Sequence, residues 1–242
     1  MKNCMTIPIY FGKRRRTFES EYDVLELAEY QVENHKAVDP GVEMDLIFIN
    51  NSLGSDVGDG FLSKINGEKT KTGKIIVIEG NNIGLSFGAH NLAYEKYNDQ
   101  YDYWFFTEDD VIFNLNGFYK NFVDHLDSDK NLAFVAAHGV SKGGSHAHGG
   151  IGCTHKTYLK KAYDKHGCLP HYSKETPVLS NYKETHIKGG EIPFTNCYVK
   201  MGYTLQRVRG KKPYIRWDHS DGFNLNNIDM EEWGDASCVK NN

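Results

Sequence analysis

The sequence predicts an α/β protein in which helices cover both faces of a mostly parallel β-sheet. Over the first 110 residues, short apolar runs alternate with segments of helical periodicity. Each apolar run stops at a polar turn, as strands do. The 242 residues are near the upper limit for one core. We therefore expect a single domain, 1–242, with a soft internal boundary near Asp110.

The first half of the chain supplies four predicted strands and two helices. The strands, rich in β-branched and aromatic residues, are predicted at 5–11, 44–49, 74–79 and 101–107. A helix is predicted over 20–37, because apolar positions recur at mostly helical spacing and Ser20 can cap its start. A second helix is predicted over 84–97, after the turn Gly80-Asn81-Asn82.

The sequence of the second half of the chain predicts more helices than strands. Helices are predicted at 117–126, 157–166 and 192–201, and a strand at 132–137. Six glycines fall between Gly139 and Gly152, which predicts a flexible loop. The tail from Gly210 onward shows only weak periodicity.

Composition and charge exclude several classes of protein. Hydrophobic residues make up 39% of the chain, and 24 glycines bring the total into the range of roughly 45–50% that is usual for globular proteins. The net charge of -4 gives no overall positive field that would attract a polyanion, so we expect no nucleic-acid partner. No apolar run approaches the roughly 18 residues of a transmembrane segment. The five cysteines are scattered along the chain, so we expect no disulfides. The N-terminal residues lack the apolar core of a signal peptide, so we expect a cytoplasmic protein.

The sharpest chemical signal is Thr107-Glu108-Asp109-Asp110, at the end of the aromatic strand 101–107. Three consecutive carboxylates at a buried strand end repel one another unless a positive group lies among them. A divalent cation is the simplest such group, and oxygen ligands favour Mg²⁺ or Mn²⁺. The alternative is a solvated turn in which Asp110 accepts hydrogen bonds from backbone donors.

A strand that ends in an Asp-x-Asp-like acidic cluster, after an αβ half of this length, resembles the GT-A glycosyltransferases, especially family 2. The segment from Asn82 to Asn91 is similar to the family's Asn-x-Gly-x-x-x-Gly-x-x-Asn turn into a helix. The resemblance implies a GT-A, Rossmann-like catalytic domain. Residues 1–110 would bind the nucleotide sugar, and 111–242 the acceptor.

Two further positions follow from the resemblance. Counting back from Gly202-Tyr203, Glu191 falls where the family places an acid at the start of a helix. Gly190 departs from the family pattern, which commonly has a pair of acids there. His219 lies late in the chain, where many GT-A enzymes have a histidine that binds the metal. The alternative is that His219 only forms a hydrogen bond with a neighbouring residue.

The resemblance implies an inverting transfer from a nucleoside-diphosphate sugar to a glycan, lipid or protein. Asp110 would hold the metal, with Asp109 or Glu108 assisting and His219 as a further ligand. Glu191 would act as general base; its alternative role is to complement the helix dipole. Expected nucleotide contacts lie at the strand ends, at Pro8, Ile9, Tyr10, Asn50, Asn51, Asn82 and Gly84.

Three other functions stay open from the sequence. A retaining transferase would share the donor site without needing Glu191 as base. A nucleotidyltransferase would need a glycine- and basic-rich phosphate loop after the first strand, which residues 12–16 only faintly supply. A non-catalytic sugar- or metal-binding protein would consume no donor.

Histidine and cysteine are concentrated between residues 138 and 171, which suggests a competing zinc site. Their spacings match neither a Cys-x-x-Cys pair nor a His-Glu-x-x-His motif, so zinc is the weaker interpretation. The residues concerned are His138, His146, His148, Cys153, His155, His166, Cys168 and His171.

Overall fold

The computed structural model of the chain describes residues 1–12, 21–52, 54–172, 187–216 and 232–233. Eleven strands lie in these ranges: β1 (Asn3–Ile9), β2 (Met44–Asn50), β3 (Ile75–Glu79), β4 (Tyr103–Phe106), β5 (Val111–Phe113), β6 (Leu132–Ala136), β7 (Gly152–His155), β8 (Thr204–Arg207), β9 (Gly210–Lys211), β10 (Tyr214–Arg216) and β11 (Glu232–Trp233).

Seven strands form the central sheet, in the order β3-β2-β1-β4-β7-β6-β8. β7 is antiparallel to both of its neighbours, and the other pairings are parallel. The short strands form two separate antiparallel pairs, β5 with β10 and β9 with β11. The carboxyl ends of six strands therefore meet at one edge of the sheet, where the loops that carry chemistry are expected.

The same described ranges contain six α-helices: α1 (Glu21–Ala37), α2 (Asp56–Ile65), α3 (Leu85–Tyr97), α4 (Phe118–Asp127), α5 (Lys156–His166) and α6 (Ile192–Val199). A π-helical turn at Ile187–Glu191 runs directly into α6. Apolar residues of α1, α2 and α4 belong to one buried cluster, and those of α3, α5 and α6 to another.

The alternation of side chains along β1 explains these two layers. Met5, Ile7 and Ile9 belong to the cluster with α1, α2 and α4, whereas Cys4 belongs to the cluster on the other face. Both faces of a strand such as β1 are buried, and the sequences of the parallel strands are therefore almost continuous apolar runs. The predicted fold class is confirmed: a mostly parallel sheet carries helices on both faces.

The predicted elements are found within a few residues of their expected limits, but several elements were missed. The sequence did not predict α2, β7 or β8. Gly58 and Gly60 interrupt the helical pattern of α2, and Ser55, whose Oγ accepts from Gly58 N at 3.1 Å, caps its start. β7 is four residues long and includes a glycine. Among the described helices, none has the length and apolar character needed to cross a membrane.

Candidate functional site at the carboxyl edge of the sheet

The switch point of the sheet lies between β1 and β4. These strands are neighbours, but the chain leaves β1 towards β2 on one side and β4 towards β6 on the other. Loops diverge at such a point and leave a crevice, which is where open α/β sheets bind ligands. Tyr10 follows β1 into this crevice, and Glu108, Asp109 and Asp110 follow β4.

Hydrogen bonds to the backbone hold the acidic turn after β4. Thr107 N donates to the carbonyl of Thr6 in β1 at 3.2 Å. The amide of Gln31, buried in α1, donates to the carbonyls of Glu108 at 3.2 Å and Val111 at 3.0 Å. The turn is thus fixed from both β1 and α1, although the sequence analysis did not identify Gln31.

The three carboxylates of the turn differ in burial. Asp109 is only 2% exposed, while Glu108 and Asp110 are half-buried at the crevice. A set of carboxylate oxygens, partly open to solvent, has the chemistry that Mg²⁺ and Mn²⁺ select. The residue types of this turn suit the expected metal, but the ligand atoms of the three side chains do not all lie within 4.8 Å of one another, so the site stays a prediction.

An aromatic cluster beneath the crevice joins the end of β4 to the starts of α3 and α6. The ring centroid of Phe106 in β4 lies 4.9 Å from that of Phe194 in α6 and 4.9 Å from that of His90 in α3. Phe87 of α3 lies 5.0 Å from Phe194. Phe106 immediately precedes the acidic turn and Phe194 follows Glu191 by three residues, so this cluster links the segments that carry the two acidic groups.

His90 is buried inside this cluster and is fixed by a polar contact. Its Nδ1 lies 2.8 Å from Thr6 Oγ1, whose own proton goes to the Phe105 carbonyl at 3.3 Å. A polar group buried among aromatic rings needs such a partner. In the sequence, His90 is part of the glycine motif from Asn82 to Asn91, and no pattern there predicts a role for it.

Glu191 ends the π-helical turn and begins α6. Its side chain is 14% exposed. A Cβ atom at Gly190 would lie 2.3 Å from Cδ2 of Phe87, and one at Gly150 would lie 2.5 Å from Cε1 of the same ring. Phe87 therefore packs into two glycine positions, one of them directly beside Glu191.

The predicted flexible loop between His138 and Gly152 contains an organised hairpin. Val140 pairs with Ala147 in an antiparallel bridge, and Ser141 N donates to His146 O at 2.9 Å. The tip turns through Gly143 and Gly144, whose φ angles of 83° and 71° suit glycine. This backbone pairing was not predicted from the sequence, and two of the glycines form the turn of the hairpin.

The hairpin places His146 beside Glu191. His146 Nε2 lies 4.0 Å from Glu191 Oε1, and its Nδ1 lies 3.1 Å from Ser145 Oγ. Burial lowers the pKa of His146 and the neighbouring His148 lowers it further, while Glu191 partly opposes them by raising it. Ligand atoms of His146, His148 and Glu191 all lie within 4.8 Å of one another, a spacing that could hold a metal.

His138 lies next to this group, with its ring centroid 6.2 Å from that of His148 and its Nδ1 in contact with the hydroxyl of Tyr214, whereas Cys153, His155 and His171 lie elsewhere. Cys153 is buried in β7, where burial raises its pKa. His155 caps α5, its Nδ1 accepting from Thr157 N at 3.2 Å. His171 packs against the turn at Gly84. Among the residues that the structure describes, one group of at least three His, Cys, Asp or Glu side chains has this spacing, and it consists of His146, His148 and Glu191.

Two of the expected nucleotide contacts, Asn50 and Asn51, have side chains in hydrogen bonds within the chain. Asn50 Nδ2 donates to Asp59 Oδ1 at 2.8 Å and to Glu79 Oε2 at 3.1 Å, while its Oδ1 accepts from the backbone N of Ser52 at 3.0 Å. Asn51 Nδ2 donates to the carbonyl of Leu85 at 3.3 Å. Both asparagines join the ends of strands to their neighbours at the carboxyl edge.

The other expected contacts lie at the end of β1 and in the turn after β3. Pro8 and Ile9 are buried in β1, and Tyr10 is half-buried just beyond them. Asn82 and Leu85 have positive φ angles of 52° and 56°, which are unusual for residues other than glycine. Between them, Gly84 has φ 74° and packs against His171 and Tyr172. His219 and the basic run at 13–16 lie outside the described residues.

No protein-family model and no curated protein matches the chain. TarS from S. aureus is similar in structure, with 13% identity and a TM-score of 0.45, over 88% of this chain and 36% of TarS. The 4-diphosphocytidyl-2C-methyl-D-erythritolsynthase from Anaerococcus prevotii has 11% identity and a TM-score of 0.48, over 94% and 92% of the two chains. A cytidylyltransferase from Leptospira borgpetersenii has 14% identity and a TM-score of 0.46, over 86% and 76%. The chain thus spans about a third of TarS, and the likeness to each protein is one of fold.

Proposed function

We propose that this protein is a metal-dependent glycosyltransferase that moves a sugar from a nucleoside-diphosphate donor to an acceptor hydroxyl with inversion. One observation carries the proposal. The contact between Phe106 and Phe194, whose ring centroids lie 4.9 Å apart, links the segment of the acidic turn after β4 to the segment of Glu191 before α6, and this supports their use in one site. A carboxylate set for a metal and a separate carboxylate for a proton are the two groups that this reaction needs.

Asp110 and Glu108, with Asp109 behind them, would hold Mg²⁺ or Mn²⁺, and His219 is a further proposed ligand. When bound, the ion would neutralise charge on the departing nucleoside diphosphate. Gln31 holds the carbonyls on both sides of Asp109 and Asp110, so the turn keeps its shape before any ion binds. This preorganisation is what an electrostatic site requires.

Glu191 would accept the proton of the acceptor hydroxyl. The hydroxyl oxygen forms a bond to the anomeric carbon, the bond from that carbon to the diphosphate oxygen breaks, and the hydroxyl proton passes to the Glu191 carboxylate. His146, with Nε2 4.0 Å from that carboxylate, lies on the side of Glu191 that the hairpin covers. General-base catalysis of this kind is typically worth 10²–10⁴-fold in rate.

The nucleotide would lie over the carboxyl ends of β1, β2 and β3. Tyr10, half-buried beyond β1, is placed to contact the base, together with the backbone at Pro8 and Ile9. Asn82 and Gly84, in the strained turn before α3, would approach the donor from the other side. We propose that Asn50 and Asn51 support this surface mainly through the hydrogen bonds of their side chains.

A thermal-shift panel tests the proposal first. Nucleoside diphosphates, nucleotide sugars and nucleoside triphosphates are screened with and without Mn²⁺, and the true donor should give the largest manganese-dependent rise in Tm. The selected donor is then incubated with candidate acceptors, and the anomeric configuration of the product is read by NMR. We expect donor consumption with inversion.

Variants at Glu191 separate the possible reactions. Glu191→Gln should lower kcat by 10²–10⁴-fold with little change in donor binding, because only the base is lost. Glu29→Gln, at an exposed position of α1, is the matched control and should leave kcat unchanged. A product of retained configuration would remove the base role of Glu191. Pyrophosphate release from a nucleoside triphosphate would establish a nucleotidyltransferase instead, and binding without turnover a non-catalytic protein.

A further inference from the structure

His146 and His148 point to the same side of the hairpin. Ala147 between them has an extended backbone, with φ -87° and ψ 135°, and it is fully buried. Side chains two residues apart on an extended segment share one face. The ring centroids of the two histidines are accordingly 5.5 Å apart.

Helix α6 holds this segment of the hairpin next to Glu191. Thr195 Oγ1 accepts from Ala147 N at 2.9 Å, and Asn196 Nδ2 donates to the carbonyl of Ser145 at 2.7 Å. At the other arm, His148 N donates to the carbonyl of Gly139 at 2.9 Å. The first two bonds connect the residues on either side of His146 to the start of α6, which follows Glu191, and the third lies within the hairpin.

The ring of His146 is oriented by its second nitrogen. Nδ1 lies 3.1 Å from Ser145 Oγ, which is 2.8 Å from Ser141 Oγ, and Nε2 lies 4.0 Å from Glu191 Oε1. Histidines that bind metals usually have one ring nitrogen hydrogen-bonded and the other directed at the ion. His146 has this arrangement, with Nε2 towards Glu191.

We propose that His146, His148 and Glu191 form a binding site for a transition-metal dication of the zinc class, distinct from the carboxylate site after β4. Two imidazoles and one carboxylate are a ligand set of zinc sites that keep a fourth position open. Imidazole nitrogens favour such metals, whereas carboxylates alone favour Mg²⁺ or Mn²⁺. The exposed His148 leaves the site open to solvent, so an ion can enter and a water can complete its coordination.

The geometry needs only a small adjustment. Bonds of about 2.0–2.1 Å in a tetrahedral site place ligand atoms roughly 3.3 Å apart. The three ligand atoms lie within 4.8 Å of one another. Side-chain rotations that move these atoms by about 1 Å would bring all three within bonding distance of one ion. His148, on the surface, is the side chain with most freedom to make that movement.

Occupation of this site has a consequence that rests on the proposed function. A carboxylate that ligates a metal is no longer free to accept a proton from an acceptor hydroxyl. Zn²⁺ should therefore inhibit glycosyl transfer, while Mn²⁺ at the acidic turn supports it. The hairpin would then make the activity sensitive to the concentration of free zinc.

Isothermal titration calorimetry with Zn²⁺ on the full, untagged chain tests the site without any donor. Wild type should bind one Zn²⁺ that the variant His148→Gln binds at least tenfold more weakly. His166→Gln, at the exposed end of α5, is the matched control and should bind as wild type does. His148 is exposed, so its replacement should leave the thermal unfolding curve in the absence of metal unchanged.

An unchanged zinc affinity in His148→Gln, or no zinc binding by wild type, would overturn the site. Weakened zinc binding in His148→Gln without any detectable transferase activity would leave the metal site standing and reject the proposed function alone. Where transfer is detected, Zn²⁺ should inhibit wild type at concentrations that leave His148→Gln active, and equal inhibition of both would overturn the regulatory consequence.

Discussion

The ring of Phe87 occupies the space beside Gly190 that any larger residue would need, since a Cβ at that position would lie 2.3 Å from Phe87 Cδ2. Phe87 is almost fully buried and packs at 5.0 Å against Phe194. This contact gives a physical reason why position 190 does not carry the first acid of the pair that the resemblance to GT-A glycosyltransferases leads us to expect. A carboxylate side chain at position 190 would meet the aromatic cluster, so Glu191 stands alone.

Gly190→Ala should destabilise the protein and impair the candidate site. Overpacking a filled core typically costs about 1–3 kcal/mol, and here the strain falls on the turn that carries Glu191. Gly60→Ala is the matched control, because a Cβ at Gly60 meets nothing within 4 Å and alanine favours the helix α2. Urea denaturation compares the two free energies of unfolding. Equal stabilities for both variants would contradict the packing account.

Asn50→Asp should destabilise the protein although it is isosteric. The change removes the Nδ2 donor and places a third carboxylate beside Asp59 and Glu79, at a fully buried position. We expect a loss of about 2–4 kcal/mol at neutral pH, from an unsatisfied buried group and like-charge repulsion. Asn131→Asp, at an exposed position, is the control and should change the free energy of unfolding by less than about 0.5 kcal/mol. Wild-type stability in Asn50→Asp would show that the hydrogen bonds of Asn50 do not support the strand ends.

Stability should fall in mild acid because of His35. This residue is buried near the end of α1, and burial lowers its pKa from 6.5 to about 4. The unfolded chain therefore binds more protons below pH 6.5, and stability present above that pH is lost as the pH falls towards 4. The expected contribution is a loss of roughly 2 kcal/mol between pH 7.5 and pH 5.

His35→Leu should reduce this acid sensitivity, measured as the change in Tm between pH 7.5 and pH 5. It should not abolish it, because burial also lowers the pKa of His125, His146 and His155. A pH dependence as steep in His35→Leu as in wild type would mean that His35 is not buried in its neutral form.

The sequence was sufficient to predict those parts of the fold in which a local pattern determines the structure. β1, β2, β3 and β4 are apolar runs that end at polar turns, and both properties can be read from neighbouring residues. α2 was missed because Gly58 and Gly60 lower its helix propensity, while its stability comes from the Ser55 cap and the burial of Leu62 and Ile65. Gly58 is needed because Phe11 packs against it, a contact between residues 47 positions apart.

For the candidate site, the sequence predicts the acidic turn and Glu191 from the order of motifs along the chain, and their roles stay predictions. The approach of His146 to Glu191 depends on hydrogen bonds from Thr195 and Asn196 to a hairpin some 50 residues earlier, which no local pattern reveals. Gln31 was missed for the same reason, since its partners lie 77 and 80 positions away.

The central claim is that the carboxylates after β4 hold a metal that binds the diphosphate of the donor. The most direct test is calorimetric titration of wild type and Asp110→Asn with the best nucleoside diphosphate from the thermal-shift panel, in the presence and absence of Mn²⁺. We predict manganese-dependent binding by wild type, and its loss in Asp110→Asn with an unchanged melting curve in the absence of ligand. Equal manganese-dependent binding by both proteins, or binding by wild type that needs no metal, would contradict the claim.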